Sequence, residues 1–413
     1  ITLFMKDTLA ATTPKNSETN STSVFAPQRV ASVDVYRGFV MLLMMAEVLS
    51  LRHVSESLPA STFWRILYFN QDHVPWVGCS LHDLIQPSFS FLVGVALPYS
   101  IASRKAKGAA FSTLLGSAMK RSLILILLGI FLRSLNAEQT YFTFEDTLSQ
   151  IGLGYTFLFI LGFKSQRVQI IALIVILVAY WLAFAAYTIP PELANVAQTG
   201  VPADWEHNRT GFLSHWNKNQ NFAWAFDRWF LNLFPRENKF LYNEGGYSTL
   251  SFIPTLGTMI LGLLAGNILR SNRVSTEKAK RFVIIGACLL AGGLLVHFTG
   301  INPIVKRIWT PAWVLFSGGC AFSLLAAFYW IVDIKDKKKW FFILMVIGMN
   351  SIAAYVLADG FGGFITKTLY VHLGHYDQVF GDAYSTLIKG LFVLTIMWLI
   401  LYWMYRKKIF IKV

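Results

Sequence analysis

Charge is what this chain has least of. Only 14% of its 413 residues are Asp, Glu, Lys or Arg, where a soluble protein carries about 25%. That deficit excludes an ordinary water-soluble domain. Cysteine is scarcer still: Cys79, Cys288 and Cys320 make an odd three, the last two inside apolar runs. Neither a disulfide framework nor a metal-ligand spacing follows from them. Acidic residues are outnumbered, 22 against 36 basic, for a net charge of +14. An excess of that size would suit nucleic acid, but the basic residues cluster in short loops between apolar runs, as membrane topology requires. No nucleic-acid partner is expected. The opening ITLFMKDTLAATTPKNSETNSTSVFAPQ lacks the apolar centre of a signal peptide. Residues 1–28 read as a disordered cytoplasmic tail.

Apolar side chains are what the sequence has in plenty, 55% of the total. They fall in blocks of about 17 to 25 residues, the length that crosses a bilayer as helix. The expected fold is an all-α polytopic membrane protein with about ten transmembrane helices, at 35–51, 84–102, 114–133, 147–163, 168–188, 248–269, 282–299, 311–332, 340–358 and 384–405. Basic groups such as Arg104, Arg121, Lys164, Arg270 and Lys338 follow the even-numbered spans, and Arg406, Lys407, Lys408 and Lys412 close the chain. Both termini and the even loops are therefore expected in the cytoplasm. Residues 29–188 would carry helices one to five with the functional outer loop, 248–405 helices six to ten, and 406–413 a basic cytoplasmic tail. Between helices five and six, 189–247 is too long for a turn and too rich in Trp (205, 216, 224 and 229) for disorder. It reads as an extracytoplasmic cap. The histidines fall in the outer loops or, for His297, near the outer end of a span, where proton chemistry near neutral pH can occur.

Several short stretches carry chemistry. In SVDVYRGFVMLLMMAEVL (32–49), Ser32 can cap a helix and Asp34 suits its positive end. Asp34 and Arg37 are three apart and share a face at the inner mouth. They read either as an anchoring pair with a snorkelling Arg or as a charged fork for phosphates. Gly38 permits close approach of a helix or ligand. Glu47 lies about 15 Å further along the helix, inside or near the outer end of the span, and an intramembrane carboxylate is a functional candidate.

HVPWVGCSLHDLIQP (73–87) packs two histidines and an aspartate against the edge of the second span. Gly78 and Pro87 interrupt any continuous helix, which implies a broken segment lining a protein cavity. His73 can act as base or nucleophile, oriented by Asp72, Asp83 or Glu47; a hydrogen-bonded structural histidine is the alternative. Cys79 is the rival nucleophile, with nothing nearby to activate its thiol. In INPIVKRIWTPAW (301–313), Lys306 and Arg307 sit on the outer side against the charge rule. They imply an anionic ligand or a carboxylate partner such as Glu244. Asn350 and Ser351 of GMNSIAAYV enter a span, where hydrogen bonding between helices is the default. YNEGGYSTLSFIPTLGTMILGLLAGNIL (242–269) leads from the cap into a small-residue helix suited to tight packing.

Taken in order, SVDVYRG, HVPWVGCSLHDLIQPSFSFLVG, DTLSQIGLGYTF, YNEGGYSTL…GLLAGNIL, IWTPAWVLFSGGCAF and GMNSIAAYV make the chain resemble the heparan-alpha-glucosaminide N-acetyltransferase family, within the transmembrane acyltransferase superfamily. The resemblance covers about residues 29 to 405. It implies that His73, with Trp76 after a short spacer, is the catalytic histidine. It implies acetyl-CoA drawn from the cytoplasm, an amino sugar or glycan acetylated on the other face, and no metal. Asp34 and Arg37 match the family's Asp-x-x-Arg-Gly motif, which, with Arg121 and Lys306, gives a candidate acetyl-CoA site. Glu47 and Asp83 join His73 as candidate catalytic residues, and Trp76, Glu244 and Asn350 as candidate acceptor-binding residues. The family's Asn near the outer end of the first span has no clean match here, Glu47 or Val48 falling closest. The connection from there to His73 is longer, and the soluble domain that precedes the lysosomal member's core has no counterpart. The expectation is a bacterial inner-membrane protein whose acceptor site faces the periplasm, with the bilayer as partner and room for a homodimer. Two other readings stay open: a proton-coupled secondary transporter of a sugar or anion with Glu47 and His73 as relay groups, and a sugar-binding module without catalysis.

Overall fold

The computed structural model describes residues 30–135 and 137–411; the expected tail at 1–28, and Lys412 of the basic terminus, lie outside them. Among the described residues the regular structure is helical, and strand-like pairing is confined to one antiparallel bridge between Val77 and Val305. Helix is what apolar runs must form in lipid, where each backbone N–H and C=O has to be satisfied within its own segment. In chain order they are α1 (Ala31–Met45), α2 (Leu51–Ser57), α3 (Thr62–Gln71), α4 (Ile85–Lys105), α5 (Phe111–Ser134), α6 (Thr147–Leu161) and α7 (Gln166–Ala186). Two short helices, α8 (Val196–Thr199) and α9 (Phe222–Phe230), lie in the long connection. There follow α10 (Phe252–Arg270), α11 (Ser275–Phe298), α12 (Pro311–Phe328), α13 (Phe342–Met349), α14 (Ser351–Val356), α15 (Gly362–Leu373) and α16 (Ser385–Arg406).

Helix occupies each of the ten expected stretches, but among the described residues the number long and apolar enough to cross a bilayer is seven to nine. Seven, built on α4, α5, α7, α10, α11, α12 and α16, are continuous and apolar enough. Two more are bent pairs: α1 meets α2 at 50°, and α13 meets the α14–α15 stretch at 74°. With 15 residues, α6 falls short of the roughly 20 that hydrocarbon requires. Both bends have local causes. Ser50 takes a left-handed φ of 44°, and Asn350 turns its side chain to the backbone of Ile409 and Ile411. Ser32 does not cap α1, which starts one residue before it; its amide donates to Asp333 Oδ2 at 3.1 Å.

Glycine brings two helix pairs into backbone contact. A Cβ at Gly94 of α4 would collide with the Met259 carbonyl, and one at Gly262 of α10 with the Phe91 carbonyl. On α1 and α13, Gly38 faces the Leu344 carbonyl and Gly348 the Asp34 carbonyl. Lipid offers no hydrophobic drive between helices, so close packing of this kind holds the bundle. The close approach at Gly38 is thus to a helix. The 189–247 connection folds onto one end of the bundle, where Trp216 and Ala223 join Trp76, Tyr180, Phe184, Val305 and Ile308 in a buried apolar cluster. Asparagines staple it: Asn221 caps α9, and Asn219 donates to the carbonyls of Thr199 and Asn243, both at 2.8 Å.

Candidate active site

Two loops carry the site. The first runs from the end of α3 to the start of α4 and contains His73. The second joins α11 to α12 and contains Lys306. The Val77–Val305 bridge pins them together, with Gly78 N–H donating to the Ile304 carbonyl at 3.1 Å. Gly78 has a φ of 122°, which excludes most side chains there. The second loop is rigid because its polar groups are spent on itself. Thr310 caps α12 by accepting from Trp313 N–H and donates to the Pro303 carbonyl at 2.7 Å, while Asn302 accepts from Ala312 N–H at 2.9 Å. Pro311 in the first turn has no N–H to leave unsatisfied.

This scaffold brings His73, Asp83 and Lys306 together. Asp83 Oδ1 accepts from His73 Nδ1 at 2.8 Å. Its Oδ2 accepts from Ser80 N–H at 3.0 Å, the Ser80 hydroxyl at 3.1 Å and Val74 N–H at 3.3 Å. A carboxylate so held, 1% exposed, assigns the proton to Nδ1 and leaves Nε2 with its lone pair. Lys306 Nζ stands 3.3 Å from Asp83 Oδ1 and 3.1 and 3.4 Å from the two ring nitrogens of His73. The His82 ring lies 4.6 Å from that of His73, and its Nε2 reaches Glu47 Oε1 at 3.1 Å. Burial lowers the pKa of His73 below its ordinary value; Asp83 opposes this and the Lys306 charge adds to it. Burial also lowers Lys306 to about 8, against the pull of Asp83. Cys79 is no competitor, because burial pushes its thiol up and the thiolate is the nucleophile.

His73 borders two spaces. One is an open vestibule of about 490 Å³ lined by Glu47, His53, Tyr68, Gln71 and Asp72. The other is a cavity of about 290 Å³ within the bundle, lined also by Lys306, Arg133, Glu145, Asp359 and Phe89. A third space, about 340 Å³, is lined by Arg37, Arg104, Arg121, Tyr155, Gly348 and again Phe89. The second and third spaces share Phe89 in their walls. From Phe89 to Arg104 is 15 residues along α4, about 22 Å by helical rise. Arg121 donates to the Tyr155 hydroxyl at 3.3 Å and lies 4.5 Å over its ring, while its buried Nε has no partner. Arg37 pairs with Asp34 at 3.3 Å.

Not every expected residue reaches these spaces. Trp76 is 1% exposed and donates to the Trp216 carbonyl at 3.0 Å, so it packs the loop rather than facing a ligand. Glu244 is exposed and lines a separate surface hollow with Tyr242 and Arg236. It is not the carboxylate partner of the basic pair: Lys306 takes Asp83, and Arg307 donates to the Gly245 and Val74 carbonyls. Asn350 is spent on the backbone of the C-terminal segment. Glu47 sits in a 3₁₀ turn after α1, its side chain 55% exposed, at the mouth rather than inside the span. Among the described residues no group of three His, Cys, Asp or Glu side chains is placed to hold a metal ion.

No protein-family model matches the chain. Human heparan-alpha-glucosaminide N-acetyltransferase is 25% identical over 436 aligned positions, covering 94% of this chain. The mouse protein of the same name is 23% identical over 434, covering 93%. The chain is therefore similar, over nearly all of its own length, to heparan-alpha-glucosaminide N-acetyltransferases. It spans about 60% of the length of these relatives. Five histidine or charged cavity residues escaped sequence reasoning as site residues: His82, Arg133, Glu145, Asp146 and Asp359. Glu145 accepts from Asn243 Nδ2 at 2.6 Å, and burial raises it to about 7. The signal for them was weak: His82 adjoins Asp83, and the 134–146 loop holds carboxylates but no Lys or Arg.

Proposed function

We propose that this chain is a membrane acetyltransferase that moves an acetyl group from acetyl-CoA to an amino sugar or glycan. The observation that carries the reading is the position of His73. Its ring is oriented by buried Asp83, it borders the vestibule, and its cavity shares the Phe89 wall with an arginine-lined space. In this reading Nε2 is the base for the acceptor, or the atom that takes the acetyl group. Asp83 holds the tautomer, and Glu47 supports the site through His82. Arg37, Arg104 and Arg121 offer fixed positive charge for the phosphates of CoA, with Asp34 orienting Arg37. Lys306 stands where the thioester end would arrive. CoA is too polar to cross lipid, so a nucleotide lodged at the arginine end and a thioester reaching toward His73 would deliver acetyl without moving the carrier. The arginine end then faces the cytoplasm, and the vestibule with the 189–247 cap faces the periplasm of a bacterial inner membrane.

The test is transfer of labelled acetyl from acetyl-CoA to glucosamine by a folded His73→Ala variant. Loss of at least about 10²-fold is expected for a removed general base, and undiminished transfer rejects the role of His73. The carboxyl groups Glu145, Asp146 and Asp359 around the cavity also suit a proton-coupled transporter. A thermal-shift titration separates the two, since a transporter of a sugar should gain no stability from CoA.

A further inference from the structure

Two donors converge on one side of the His73 ring. With Nδ1–H given to Asp83 at 2.8 Å, a charged Lys306 lying 3.1 Å from that same atom finds no lone pair there. Nζ is nearer Nδ1 than Nε2, which it approaches to 3.4 Å across the ring, so the in-plane lone pair on Nε2 points away from the ammonium. That is the lone pair a base needs. Lys306 is 4% exposed and stands on a loop fixed by Thr310, Asn302 and the Val77–Val305 bridge. Burying a cation is costly, and Asp83 Oδ1, shared by Nζ at 3.3 Å and His73 Nδ1 at 2.8 Å, holds this one beside the imidazole at the cavity wall.

We propose that Lys306 is a catalytic residue: its ammonium, held by Asp83 beside the His73 ring, turns to the thioester carbonyl oxygen when the acetyl group arrives and stabilises the oxyanion. This rests on the acetyltransferase reading above and sharpens the part Lys306 plays in it. The acceptor nitrogen attacks the carbonyl carbon, and the C=O π pair moves onto oxygen beside the ammonium, which keeps its proton. The proton lost by nitrogen passes to Nε2, and Asp83 stabilises the imidazolium at Nδ1. When the oxygen pair returns to re-form C=O, the C–S bond breaks with its pair on sulfur, and sulfur takes the proton from Nε2. An amide and free CoA thiol leave, with His73 and Lys306 as they began.

Among the described residues, the charged and titratable groups around this pair are Asp83 just before α4, His82 beside His73, Glu47 behind His82, Asp72 bonded to the His73 amide, Cys79 on the same loop, Arg307 with Tyr247 beside Lys306, and Arg133, Glu145, Asp146 and Asp359 in the cavity wall. The experiment is the pH profile of kcat and KM for the full chain with acetyl-CoA and glucosamine, comparing wild type, Lys306→Met and Lys306→Arg. In wild type a basic limb is expected near pH 8, where Lys306 loses its proton. Lys306→Arg should lose that limb, because guanidinium stays charged. Lys306→Met should lower kcat by about 10²- to 10³-fold, the scale of one lost oxyanion donor. Its acid limb should move to higher pH, because the neighbouring cation no longer disfavours protonation of His73. A Lys306→Met protein with raised KM for acetyl-CoA and unchanged kcat, or a basic limb that persists in Lys306→Arg, overturns the proposal. If the Met variant does not fold, the Arg variant decides alone. Undiminished transfer by His73→Ala would instead reject the assignment of His73, whatever the lysine variants do.

Discussion

The two ends of the cavity system are made of different materials. At the histidine end, His73, Lys306 and Glu145 are groups able to change charge, the Asp83 carboxylate pairs with the first two, and loops stapled by hydrogen bonds hold them in place. At the other end Arg37, Arg104 and Arg121 never change charge, and they stand on the helices themselves. Proton transfer needs pKa values near the working pH and positions fixed to a few tenths of an ångström. Holding a multiply charged ligand needs permanent charge and tolerates looser geometry. In the proposed reading, the difference corresponds to chemistry at one end and grip at the other.

Substitutions at each end should therefore fail in different ways. Asp83→Asn keeps the shape but removes the charge that fixes the His73 tautomer. A fall in kcat of about 10³-fold is expected, with KM for acetyl-CoA nearly unchanged in steady-state assays. Arg121→Gln should do the reverse, raising KM for acetyl-CoA about tenfold, the worth of one charge-assisted bond, at constant kcat. Acetyl-pantetheine, which lacks the nucleotide, should not distinguish this variant from wild type. A kcat defect in Arg121→Gln, or a KM defect alone in Asp83→Asn, would erase the contrast between the ends.

The contrast also separates what could be read in the sequence from what could not. Bilayer thickness leaves a fixed length in the apolar runs, so helix showed at each expected stretch; the breaks at Ser50 and Asn350 did not show, because each depends on one backbone angle or one distant bond. His73 and Asp83 were readable together because ten residues separate them within one stretch. Lys306 lies 233 residues from His73, and without the Val77–Val305 bridge nothing assigned it Asp83 over Glu244. Trp76 carries a motif position yet packs inward, since a large apolar ring beside Trp216 and Phe184 gains more from burial than from a solvent-facing role. Glu145 and Arg133 come from a loop and a helix end that form a common wall only after α5 and α6 pack.

The division between the ends is tested most directly in sealed vesicles with the protein in one orientation, labelled acetyl-CoA on the side of the arginines and glucosamine on the side of the vestibule. The proposal predicts labelled N-acetylglucosamine on the vestibule side while CoA stays where it was added. Transfer that occurs only when donor and acceptor share a side would contradict it.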